Sequence, residues 1–209
     1  MRKGLVKISA ALAASLFMTF SLSDLRAAPA LDANEIIAKD PAAGKIINNV
    51  PFIEQKAFNC GPASVAMVLQ FYGVKADAAA IAKKFESENV AGTFTVDLLI
   101  AASQAGMDAH WVEGDMEALK KEIASGRPVI VFLNLAVNPL PQRHFAVAVG
   151  YLKYQGKDYV ALHSGSTPFM MEPVSSFARE WKRTGNMMMT MAPKKPDAEP
   201  APPKPKKGG

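Results

Sequence analysis

The chain has 209 residues, 49% of them apolar, which gives room for one domain with its own core and hardly for two. Its formal charge of +5 is placed at the ends: the first 30 residues carry four basic and one acidic side chain, the last 18 carry five and two, and 15 basic against 16 acidic remain between them. A body this close to neutral argues against a nucleic-acid partner.

Residues 1–30 have a basic start (Arg2, Lys3, Lys7), an apolar run from Ile8 to Leu22 and small residues ending in Ala28-Pro29-Ala30. That is the layout of a secretory signal peptide cleaved after Ala30, so the protein is expected in the periplasm or outside the cell. The apolar run is short and alanine-rich for a membrane span, and an uncleaved anchor is the competing reading. Residues 31–47 form a lead-in with a short helix over Ala33–Lys39, stopped by Pro41. Residues 46–53 (IINNVPFI) read as extended, with Pro51 confining them to an edge or to no ladder at all.

The only cysteine, Cys60, follows. With no second cysteine there is no internal disulfide, which in an oxidising compartment leaves an inert buried thiol, an intermolecular link or a reactive thiol. Gly61-Pro62 opens an apolar helical pattern that runs from Pro62 to Tyr72 and stops at Gly73. The thiol then sits at a helix N-terminus, where unpaired N–H groups and the helix dipole favour a thiolate.

Two further helices are predicted, over Asp77–Phe85 and from Thr95 to the terminating Gly106; Val96, Leu98, Leu99 and Ala102 form the apolar side of the latter. The second half changes period. Met107–Val112 reads as a strand, Asp115–Ala124 as a helix capped by Asp115, and PVIVFLNL (128–135) as a strand buried on both faces. HFAVAVGYL (144–152) and DYVALH (158–163) are strands joined by a hairpin turn at Gly156, and a helix over 175–183 and a strand over 186–191 close the domain. A helical half followed by an antiparallel sheet is an α+β layout. Residues 192–209, mostly Pro, Ala and Lys, read as a disordered tail whose contact with an anionic membrane surface is at most weak.

Three histidines are available as a base. His110 lies within a strand and reads as a packed or surface residue. His163 ends a strand and reads equally as a satisfied edge residue. His144 opens an apolar strand after the loop NPLPQR, at a sheet rim where a side chain faces a cleft.

The stretch VPFIEQKAFNCGPASVAMVLQFYG, followed by RPVIVFLN and HFAVAVGY, resembles the double-glycine-leader (bacteriocin-processing) cysteine peptidases, a branch of the papain-like fold. The fit is closer to the stand-alone exported members than to the domains fused to transporters. It covers residues 48–191 and rests on a glutamine five residues before Cys-Gly-Pro, with a later histidine on a strand. The resemblance implies a thiol hydrolase without a cofactor, acting on a peptide or protein as a monomer. Cys60 would be the nucleophile, His144 the general base and acid, and Gln55 an oxyanion donor beside the backbone N–H of Cys60.

One position departs from the family. An acidic residue usually orients the histidine from the following strand, and here the segment reads LHSGS, which puts Ser164 at that place. A hydroxyl can accept a bond from the ring but does not stabilise an imidazolium as a carboxylate does. A papain-like peptide-binding module that has lost its chemistry is therefore the second reading. A third concerns copper, because Met170, Met171, Met187, Met188, Met189 and Met191 are soft thioethers; packing of the 187–191 strand is the simpler explanation. Zinc is weaker still, since one cysteine and three scattered histidines lack ligand spacing. The terminal Gly208-Gly209 matches the cleavage signal that this family reads, and chance explains it more simply.

Overall fold

A computed structural model describes residues 32–56, 58–85, 93–136 and 141–194. The leader and the tail from 195 onward lie outside the described residues. The predicted lead-in helix is α1 (Ala33–Lys39), opened by the Asp32 side chain, which accepts from the Asn34 N–H at 2.8 Å. A short strand that the sequence reading did not contain, β1 (Gly44–Ile46), follows it and pairs antiparallel with the later β4 (Arg143–Tyr154). Only Gly fits where these two cross: a Cβ on Gly150 would stand 2.3 Å from the Ile46 Cδ1 and 2.8 Å from the Lys45 carbonyl.

The central helix, α2 (Cys60–Phe71), is buried on all sides from Gly61 to Leu69, which is why its sequence is apolar all round rather than amphipathic. Its Val65, Met67, Val68 and Leu69 join the main core, and Ala63 and Ala66 pack with Ala78 of α3 (Ala78–Lys84). The helix begins two residues earlier than the Gly-Pro pair predicts, so Cys60 occupies its first turn and not the residue before it. Helix α4 (Thr95–Gln104) ends at Gly106, whose φ of 85° is the left-handed conformation expected there. Its expected apolar face is corrected at one place: Leu98 and Ala102 are buried, but Val96 is exposed.

The remaining strands are β2 (Met107–Glu113), β3 (Val129–Asn134), β5 (Lys157–Ser164), β6 (Thr167–Pro173) and β7 (Met187–Pro193), with helices α5 (Met116–Ala124) and α6 (Val174–Lys182) between them. Together with β1 and β4 they form one seven-stranded sheet in the order β2-β7-β3-β4-β5-β6, with β1 on β4, and every pairing is antiparallel. Strand β7 runs two residues beyond the predicted limit at 191, so Ala192 and Pro193 belong to the domain and not to the tail. The predicted β4–β5 hairpin turns on Gln155 and Gly156, both left-handed at φ 47° and 75°. Strand β6 is not among the predicted elements, because Pro168 and a left-handed Phe169 (φ 50°) interrupt its periodicity. No helix among the described residues is long and apolar enough to cross a membrane.

Candidate active site

Helix α2 packs on β4 and carries Cys60, half-buried, to the sheet. Pro62 has no N–H, and the Ala63 N–H bonds the Asn59 carbonyl at 2.9 Å. Among the described residues the Cys60 N–H has no acceptor. The helix start is pressed against the strand that bears His144: a Cβ on Gly61 would meet the Phe145 Cδ2 at 3.2 Å and Leu98 at 3.0 Å. The neighbour of the cysteine thus touches the neighbour of the histidine.

Gln55 joins the same elements through its amide. Its Nε2 donates toward the Cys60 carbonyl (3.2 Å), the Phe145 carbonyl (3.1 Å) and the Ser64 hydroxyl (3.0 Å). Two protons are therefore shared among three acceptors. Its Oε1 accepts from the Gly165 N–H at 2.8 Å, and its backbone N–H donates to the Gly165 carbonyl at 2.8 Å. The glutamine thus bridges the Cys60 helix, the His144 strand and the β5–β6 turn.

His144 is largely enclosed, and its Nε2 lies 2.9 Å from the Ser164 hydroxyl. Ser164 stands where the departure from the family pattern put it, against the ring. Nδ1 is the ring nitrogen left without a hydrogen bond among the described residues. Burial pushes the His144 pKa down, favouring a neutral ring. His110 lies elsewhere, exposed on β2 with Nε2 2.9 Å from an Asp108 oxygen, separated from β4 by β7 and β3. His163 is fully buried and has a partner at each ring nitrogen.

Met188, Met189 and Met191 are buried in the core on β7, whereas Met170 and Met171 lie on β6 at the far side of β3, β4 and β5. The six methionines do not converge, and packing accounts for the buried three. Among the described residues no group of three or more His, Cys, Asp or Glu is placed to hold a metal ion.

Residues 47–189 match the model of the Peptidase_C39 like family. The chain belongs to this family. C39 peptidases are cysteine peptidases, and their domains have the papain-like fold, so the α+β expectation holds in its specific form. A solved structure described as a C39-like peptidase from Bacillus anthracis is 20% identical, covers 73% of this chain and 99% of its own, and superposes with a TM-score of 0.59. The peptidase domain of Streptococcus ComA, a bi-functional ABC transporter involved in quorum sensing, is 20% identical over 70% of this chain and 100% of its own, with a TM-score of 0.53. A double glycine motif protease from an AMS/PCAT transporter, solved with its leader peptide, is 26% identical over 72% and 99%, with a TM-score of 0.53. No curated protein matches the chain.

Within this C39-like domain the sequence reading missed Ser64 and Gly165. Ser64 is one helical turn after Cys60 and fully buried, so the i, i+4 spacing carried the signal that it shares the cysteine's face. Gly165 binds Gln55 through its backbone alone; the only hint was a glycine next to Ser164. Phe58, two residues before Cys60 in the chain, is a large apolar side chain left 66% exposed.

Proposed function

We propose that this chain is an exported cysteine peptidase that cleaves peptide bonds through a Cys60 acyl-enzyme, with His144 as base and acid. The observation that carries the reading is the Gln55 amide, bonded at once to the Cys60 carbonyl, to the carbonyl next to His144 and to the turn that bears Ser164. With Nε2 of His144 donating to Ser164, the Nδ1 lone pair takes the Cys60 proton. The sulfur attacks the scissile carbonyl carbon, and the oxygen that becomes negative accepts from the Cys60 N–H and from Gln55 Nε2. A charged oxygen is a stronger acceptor than the neutral hydroxyl of Ser64, so one amide proton has reason to move to it. His144 then protonates the leaving amine, and a water deprotonated by His144 hydrolyses the thioester and restores the thiol.

Leader-type peptides with a double glycine are the substrate class favoured by the family and by the leader-bound relative. Action as a monomer belongs to the same proposal, and the scheme uses only Cys60, His144, Gln55 and Ser164. Export rests on the basic start, apolar run and Ala28-Pro29-Ala30 of the leader, and N-terminal sequencing of the mature protein should begin at Leu31. Ser164 in place of a carboxylate favours a second reading, a peptide-binding domain without turnover.

The two readings separate in one assay, in which a peptide library containing Gly-Gly sites is incubated with the wild type and with Cys60→Ala. Cleavage by the wild type alone supports the peptidase; binding without cleavage by both supports the module.

A further inference from the structure

His163 precedes the two residues that hold the site from behind. Its side chain is 0% exposed. Nε2 lies 3.0 Å from the Val50 carbonyl, and Nδ1 lies 3.1 Å from the Phe169 N–H. A carbonyl only accepts and an amide N–H only donates, so the ring is neutral with its proton on Nε2. Phe52 and Phe169 stand edge-on to it, with centroids 5.5 and 4.5 Å away. One imidazole therefore joins the segment leading to Gln55, the end of β5 and the start of β6.

The turn it anchors is not a regular one. The β5–β6 register breaks between Leu162 and Ser164, at His163 itself. Gly165 and Phe169 are left-handed, at φ 58° and 50°, and for a phenylalanine that conformation must be held by its surroundings. The Phe169 N–H finds its acceptor in His163. Between these fixed points lie Ser164, against His144, and Gly165, in two bonds with Gln55.

We propose that His163 is a positioning residue of the active site: by accepting the Phe169 N–H it fixes the β5–β6 turn so that Ser164 meets His144 and Gly165 meets Gln55. The inference rests on the Cys60–His144 peptidase reading for its consequence and on the turn geometry for its substance.

His163→Asn and His163→Gln separate the two halves of its role, since the Asn Oδ1 falls where Nδ1 does and the Gln Nε2 where Nε2 does. Folded protein is first verified by thermal melting. Cys60 alkylation by iodoacetamide and NMR titration of the His144 ring are then measured. His163→Asn should stay within about twofold of wild type, and His163→Gln should alkylate about tenfold more slowly, because a shift of about an ångström at a reacting pair can cost about a hundredfold. In His163→Gln the His144 titration should also move up toward the ordinary value as water enters. Equal behaviour of the two folded variants in both measurements overturns the proposal. Wild-type alkylation no faster than that of urea-unfolded protein overturns the peptidase reading instead, and the ring titration, which needs no reactive thiol, then decides His163 alone.

Discussion

Ser164 sets the electrostatic surroundings of the His144 ring. A carboxylate at that place would favour the imidazolium and raise the ring's pKa, whereas a hydroxyl leaves desolvation unopposed, and the pKa lies below its ordinary value. His144 ring titration by NMR in a Cys60→Ala background should therefore give a midpoint below about 6.5. Ser164→Asp should raise it and increase kcat for any peptide that is cleaved; a midpoint unmoved by the new carboxylate would mean that residue 164 does not face the ring. Ser164→Ala removes one neutral hydrogen bond, worth about 1 kcal/mol net, and should lower kcat about fivefold. Gln55→Ala should cost more, about a hundredfold in kcat as for loss of an oxyanion donor, together with a lower melting temperature because the four hydrogen-bond contacts of its side-chain amide are lost.

At the scale of elements, the parts that were legible are those whose residues fix their conformation locally. Asp77 and Asp115 cap α3 and α5 as their positions before apolar patterns imply, and the β-branched run 129–134 is a strand buried along most of its length. Strands β1 and β6 were not legible, because their conformation comes from partners distant in sequence: Gly44–Ile46 is extended only by pairing with 150–152, and β6 by pairing with β5 across a broken register. The approach of the Cys60 helix start to the His144 strand, seen at Gly61 and Phe145, agrees with the motif and the family likeness, while the depth of the Gln55 network was not legible, since three of its partners are backbone groups that any residue carries. The β1–β4 crossing gives an element-scale test. Gly150→Ala must push Ile46 and Lys45 aside and should destabilise the fold by about 1–3 kcal/mol in urea unfolding, an overpacking cost. An unchanged midpoint would show that β1 does not approach β4 this closely.

For the whole molecule, two enclosed histidines link stability to pH. His144 and His163 both have pKa values pushed down by burial, and for His163 the bond to Val50 offsets this only in part. An unfolded chain binds protons at these positions near about pH 6.5 and the folded chain only at lower pH. Their contribution to stability is thus fully present above about pH 6.5 and is lost as pH falls from there toward the depressed folded values. Unfolding free energies from urea titrations between pH 7.5 and 5 should fall with a slope of up to about 1.4 kcal/mol per pH unit for each histidine. His163→Asn should remove its share of that slope. A midpoint independent of pH below 6.5 would mean that both rings protonate freely in the folded state.

The papain-like fold brings the start of α2 and the His144 end of β4 together, and in the proposed mechanism this proximity makes the Cys60 thiol reactive. The most direct measurement of that reactivity is the rate of iodoacetamide labelling at about pH 6, read by intact mass for wild type, His144→Ala and urea-unfolded wild type. The folded wild type is predicted to label faster than both. Labelling at the rate of the unfolded chain, or unchanged by His144→Ala, would contradict a Cys60–His144 catalytic pair.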